Sequence, residues 1–150
     1  MRVEQKLWTE ASGWQSSTGA INPEEVHLVL IFAGTAILAN HDQYKNIKDQ
    51  YPNAVMVGCS TAGEICDTRV RDDSISLTAI SFDQTSVKLA VEKISASANS
   101  YACGTMLARS LNSSDLSHIL VISDGLKVNG TELVNGFKDR LPEHIAVTGG

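Results

Sequence analysis

The sequence predicts an α/β fold: a mixed sheet with central parallel strands, flanked by helices and by an antiparallel β-hairpin. Three observations carry that prediction. Residues 26–32, 54–57 and 119–122 are short apolar runs, broken only by His27, of the kind that forms strands covered on both faces. Between these runs lie segments with apolar residues at helical spacing. Residues 75–80 and 87–91 alternate apolar and polar side chains instead, the period of a strand with one wet face.

Taken in order, residues 3–8 read as a strand. Residues 13–23, polar and rich in turn formers, read as a loop or edge connection, so 1–24 make an edge strand plus loop. After the strand 26–32, Asn40 and Gln43 have capping-box spacing, with Tyr44, Ile47 and Tyr51 on one buried face and Pro52 as the stop. Residues 54–57 form the next strand, followed by the polar stretch 67–73 with Arg69, Arg71, Asp72 and Asp73. The alternating segments 75–80 and 87–91, joined through Asp83-Gln84-Thr85, predict the hairpin. A helix over 100–111 buries Ala102, Met106, Leu107 and Leu111, and 119–122 is another apolar strand. A helix over 130–140 uses Leu133, Val134, Phe137 and Leu141, and 145–147 form the last strand. Right-handed crossovers would set the continuous apolar strands parallel at the centre, with the hairpin to one side or in a second layer.

The totals narrow the function. A chain of 150 residues fits one domain, and 43% apolar against 19% charged residues is ordinary for a globular protein. A net charge of −5 with scattered Lys and Arg argues against a nucleic-acid partner, which needs clustered cations. Cys59, Cys66 and Cys103 lack the close pairing of a zinc site and are too few for a disulfide framework. The N-terminus carries Glu4 and Glu10 rather than an apolar signal core, and no apolar stretch nears the ~20 residues of a membrane span. A cytoplasmic protein with no membrane association is expected.

Ligands of open α/β sheets bind in the crevice beyond the carboxyl ends of the strands. Four segments leave the apolar strands on that side: Ala33-Gly34-Thr35, the run from Gly58 to Glu64, Ser123-Asp124-Gly125 and Thr148-Gly149-Gly150. Each holds a glycine and a hydroxyl, and two hold a carboxylate. If they meet, backbone amides could take a ligand's carboxylate while Glu64 or Asp124 takes its amine, which fits an amino acid-like zwitterion. The candidate ligand-binding residues are Gly58, Cys59, Ser60, Thr61, Ala62, Gly63, Glu64, Asp124, Gly125, Thr148 and Gly149. The same residues have a plainer use in tight strand-to-helix turns, with Asp124 shaping its turn and Glu64 in solvent. Cys59 also stands where strand-to-turn geometry exposes nucleophiles, so a thiol- or carboxylate-dependent hydrolase using Cys59 or Asp124 is the alternative. No His lies near Cys59 in sequence to draw off its proton, and no residue is assigned a catalytic role.

The strand and turn from Val57 to Ile65, "VGCSTAGEI", resemble the FIST N-terminal domain (F-box and intracellular signal transduction), a sensory module of bacterial signalling proteins. Val29-Leu30-Ile31-Phe32, Ser76-Leu77-Thr78-Ala79-Ile80, Ser123-Asp124-Gly125-Leu126, Asn129-Gly130 and Val147-Thr148-Gly149-Gly150 resemble the family in the family's order. The resemblance runs from about residue 26 to the C-terminus. It implies a single sensory domain over 1–150, the first part of a longer one, because the family's Gly-Gly leads into further strands. It also implies a small-molecule sensor, not an enzyme, that informs a signalling partner such as a histidine kinase, cyclase or chemotaxis receptor. Some FIST-like proteins are haem-containing nitric-oxide sensors, so the resemblance brings haem into view. His27, His118 and His144 precede strands, away from the expected pocket. His41 follows a strand's carboxyl end and opens a helix, where the dipole disfavours imidazolium, and is the candidate haem ligand. Trp8 and Trp14 leave a third reading, a docking surface at the N-terminal edge.

Overall fold

The computed structural model describes residues 1–150, the side chain of Ser17 excepted, and divides into two compact units, Met1–Val87 and Lys88–Gly150. The first is built on a five-stranded mixed sheet in the order β2-β1-β7-β3-β4. Strands β1 (Arg2–Thr9) and β2 (Gly13–Thr18) form an antiparallel hairpin, and β3 (Leu28–Ala33) runs parallel to β4 (Val55–Ser60). Strand β7 (Ser74–Ser81) lies between β1 and β3, antiparallel to both. A separate antiparallel pair, β5 (Glu64–Cys66) and β6 (Arg69–Arg71), turns through Asp67 at φ 57°. Helices α1 (Thr35–Leu38) and α2 (His41–Gln50) connect β3 to β4.

The core of this unit follows from register. Ile31 pairs with both Leu77 and Gly58, so by strand alternation Val29, Ile31 and Ala33 face the same way as Ile75, Leu77 and Ala79. All six are buried, in one cluster with Ile47 of α2 and Tyr51 just past its end. Tyr44, expected on that buried face, is instead exposed.

Two expectations about the strands give way. Residues 75–80 lie in β7, but its partners are β1 and β3, and 87–91 form no strand. The parallel pair β3–β4 therefore takes one flank and β7 the centre. The alternation of β7 reads as a wet face because every second residue is polar. Those residues are small serines and a threonine that can be buried once bonded: Ser76 Oγ donates to the Ile65 carbonyl at 2.8 Å, and the Ser74 hydroxyl to Glu64 at 2.8 Å. The stretch 13–23, expected as a connection, begins with strand β2, where Trp14 pairs with Trp8 and both rings pack on the core. An aromatic cross-strand pair supplies what the turn-rich composition hides.

The second unit holds α3 (Ser100–Leu111), β8 (His118–Val121), α4 (Gly130–Lys138) and β9 (Ala146–Gly149), with β8 and β9 paired in parallel. Helices α3 and α4 cross at two glycines. A Cβ on Gly104 would fall on the Leu133 carbonyl, and one on Gly136 on the Tyr101 carbonyl, both well inside van der Waals contact. That approach selects the small-residue side of α3, so Cys103, Gly104 and Ala108 are buried while Ala102 and Met106 are exposed. Of the residues expected on the buried face, Leu107 and Leu111 do pack against the core of this unit, while Ala102 and Met106 do not.

Candidate functional site

In the first unit, two of the segments singled out in the sequence do come together. Ala33 pairs with Ser60, and the Thr61 N–H donates to the Ala33 carbonyl at 3.0 Å, so Gly34-Thr35 and Ser60-Thr61 emerge at one edge. Strand β7 enters at that edge, with Ile75 opposite Ala33. The individual roles differ from those the sequence suggests. A Cβ on Gly58 would fall on the Ile31 carbonyl, so the glycine accommodates the neighbouring strand rather than a ligand. Cys59 pairs with Phe32 and so stands on the opposite face from Ile31 and the core. Ser60 and Ala62 are exposed, and Gly63 lies against Val70 and Asp72.

Glu64 is neither in solvent nor open to a ligand: it is 1% exposed. Its Oε1 accepts from the Thr61 hydroxyl at 2.6 Å, and its Oε2 accepts from the Ser74 N–H at 3.1 Å and the Ser74 hydroxyl at 2.8 Å. The carboxylate thus pins the turn after β4 to the first residue of β7. Three donors, one of them a buried backbone amide, are what makes an acidic side chain tolerable there.

Behind this edge, α1 and α2 leave a pocket of about 250 Å³, floored by Ile31 and Ile75 and walled by Ile37, Ile47, His41 and Gln43. The pocket grows out of how α2 begins. The Asn40 side chain caps the helix by accepting from the Asp42 N–H at 3.0 Å, as the sequence predicts. The Asn40 N–H already donates to the Ile37 carbonyl at 3.0 Å, closing α1. Gln43 therefore has no donor to answer, and the second half of the capping box does not form. Its Oε1 is buried without a hydrogen-bond partner among the described residues. Sequence reasoning missed this group, because capping-box spacing marks Gln43 as already satisfied.

His41 lines the same pocket and is exposed. A volume of about 250 Å³ lies below the ~300 Å³ at which pockets for drug-sized ligands begin, and a tetrapyrrole is larger than most of those. The residues around His41 do not fit a haem.

In the second unit the Ser123 N–H donates to the Gly150 carbonyl at 2.9 Å and the Gly150 N–H to the Val121 carbonyl at 3.2 Å, which joins the carboxyl ends of β8 and β9. Asp124 Oδ1 accepts from the Leu126 N–H at 3.0 Å, and Oδ2 lies 3.1 Å from the Lys127 ammonium. The Lys127 hydrogen bond, with help from the Leu126 amide, holds this exposed carboxyl below the usual range. Asp124 shapes its turn. The Thr148 hydroxyl is 2.8 Å from His118 Nε2, and Gly149, at φ 129°, lies where a Cβ would strike the Val121 carbonyl. Gly125 is exposed. A hollow of about 360 Å³ beside Ser113, Leu116 and His144 opens at the other, amino ends of these strands.

A sequence model of the FIST N domain matches residues 27–150. The chain belongs to the FIST N family. FIST domains are sensory domains of signal transduction, which makes signalling partners plausible for this one. No curated protein and no solved structure matches the chain. Among the described residues, no three His, Cys, Asp or Glu side chains group as metal ligands, and no helix is long and apolar enough to cross a membrane.

Proposed function

We propose that this FIST N domain is a cytoplasmic sensor that binds a small molecule at the carboxyl edge of the first unit's sheet. Its occupancy is relayed to a signalling partner such as a histidine kinase, cyclase or chemotaxis receptor. One observation carries the reading: the crevice beneath α1 and α2 lies directly behind the edge where β3 ends and β7 begins. A sensor must bind its ligand with different affinity in two conformations. The crevice wall includes α1, four residues long and without a side-chain N-cap bond, a segment suited to such a shift. Ser60, Thr61, Ala62 and Gly63 frame this edge, with Gly58 and Glu64 fixing its shape. Asp124, Gly125, Thr148 and Gly149 frame the corresponding edge of the second unit, a further place to look for bound ligand.

On this reading the chain is not an enzyme. Cys59 faces away from the crevice, and Asp124 is committed to Lys127 and its own turn. The hydrolase reading requires turnover that disappears in Cys59→Ser, whereas the sensor reading expects ligand binding to survive that change. An amino acid-like ligand and nitric oxide sensed through haem remain separate expectations, tested together by native mass and absorption spectra of the purified chain. A Soret band establishes haem, and a retained metabolite names the ligand. A thermal-shift screen complements both, since a ligand at 100 times its dissociation constant stabilises by ~2.7 kcal/mol. No retained molecule and no stabilising compound in a broad metabolite panel would overturn the proposal.

A further inference from the structure

We infer that the outer edge of β4 is a docking strand for a second copy of this chain, which adds its residues 87–91 there as a further strand. The inference goes beyond the sensor reading and does not depend on it. Strand β4 closes the first unit's sheet and pairs with β3 alone. The Val55 N–H donates to the His27 carbonyl at 2.9 Å and the Thr61 N–H to the Ala33 carbonyl at 3.0 Å. Bonds along a parallel ladder fall on alternate residues, so Met56, Gly58 and Ser60 aim their N–H and C=O groups outward. No strand takes these up among the described residues. Sheet edges are ordinarily guarded by charge, proline or a bulge. From Val55 to Ser60 there is no charged residue and no proline, and Gly58 and Ser60 are exposed. The opposite edge, β2, is polar from Gln15 to Thr18.

The complementary element lies in the chain itself. Residues 87–91, Val-Lys-Leu-Ala-Val, alternate like a strand, yet they belong to none and make no backbone hydrogen bond among the described residues. Leu89 is 50% and Val91 74% exposed. The single chain leaves its own edge bare, so the strand comes from a second copy. The two patterns fit in one phase. Val55, Val57 and Cys59 share a face with Leu28, Leu30 and Phe32. With Leu89 beside Val57, in either strand direction, Val87 and Val91 fall beside Val55 and Cys59. Lys88 and Ala90 then fall beside Met56 and Gly58. A one-residue slip would bring Lys88 onto the apolar face. Because each copy carries one edge and one segment, the exchange is reciprocal and closes as a two-fold dimer.

Sedimentation velocity of the full chain at rising concentration should show a dimer of twice the 16.1 kDa chain mass. Hydrogen exchange should slow at the Met56, Gly58 and Ser60 amides as the dimer forms. Ser60→Pro removes an outward donor while sparing the ladder to β3, and Leu89→Pro disables pairing in a segment that lies outside any strand. Each should weaken the dimer at least about tenfold, with circular dichroism unchanged. An equal mixture of the two should recover part of the dimer, because one sound edge then meets one sound segment. A chain that stays monomeric with these amides open, or a dimer that both variants leave intact, would overturn the inference. Loss in both variants without recovery on mixing would overturn it too. So would slowed exchange in a monomer, which would mean that the segment folds onto its own chain's edge. If Ser60→Pro misfolds, the wild type decides: exchange at the three amides that slows with concentration supports the inference, and exchange that does not overturns it.

Discussion

Removing the Glu64 carboxylate should damage the first unit far more than an acidic residue after a strand would lead one to expect. In Glu64→Ala the Ser74 N–H, on a residue with no exposed surface, loses its acceptor at a cost of ~1–3 kcal/mol. The Ser74 hydroxyl loses its bond as well, for about 1 kcal/mol more, and the vacated volume adds to the loss. Thr61 is half-buried and recovers part of its bond from water. The sum is about 3–5 kcal/mol, a large part of the ~5–15 kcal/mol that holds a domain together. Glu64→Gln keeps an acceptor for Ser74 and offers Thr61 a donor instead, so it should cost about 1 kcal/mol. Both tryptophans of the chain, Trp8 and Trp14, pack on the core of this unit, so their fluorescence in a urea titration reports its unfolding. The midpoint for Glu64→Ala should fall by more than ~1 M. A change within about 0.5 kcal/mol, typical of an exposed position, would show that the carboxylate lies in solvent and refute the latch.

Gly104→Ala and Gly136→Ala should each destabilise the second unit by several kcal/mol, although alanine favours a helix by ~1 kcal/mol over glycine, because the added methyl meets backbone across α3 and α4; circular dichroism melts measure the loss. Gln43→Leu should raise the stability of the ligand-free protein by about 1 kcal/mol in the same urea assay, since it removes a buried acceptor that has no donor. Tyr51 supplies a pH signature. Its phenol is pushed above the ordinary value of 10.0, chiefly by burial. A raised folded pKa gives stability that is complete below the unfolded value and lost as pH rises through the folded one. The stability of wild type relative to Tyr51→Phe should therefore decline above about pH 10, measured by urea titrations at stepped alkaline pH; a gap that holds constant or widens would contradict the burial of that hydroxyl.

What the sequence shows of this fold depends on whether the relevant contacts are local. Asn40 is legible as a cap because it bonds two residues ahead, and α3 is legible over its full length from its own composition. The partners of β7 are not, because a strand's own pattern says which faces are apolar and nothing about which distant strands lie beside it. Its serines were decisive: the hydroxyls of Ser74 and Ser76 look like a solvated edge until Glu64 and Ile65 supply acceptors. The same limit governs α3, whose buried face is chosen by two glycines on separate helices that make sense only together.

The candidate site repeats the lesson at the level of single atoms. Glycines and hydroxyls at the ends of β3 and β4 mark an edge where chain segments meet, yet Gly58 and Glu64 are spent on holding that edge, and Asp124, in the second unit, is spent on its own turn. Residues conspicuous in sequence are conspicuous because turns need them, and a turn that uses a side chain takes it away from ligands. The group left over is Gln43, whose spacing after Asn40 promises a reciprocal bond. One backbone hydrogen bond, from Asn40 to Ile37, withdraws the donor that would have answered it. A short helix ending directly before α2 is what creates that competition, so the orphaned acceptor and the crevice beneath the two helices share one structural cause.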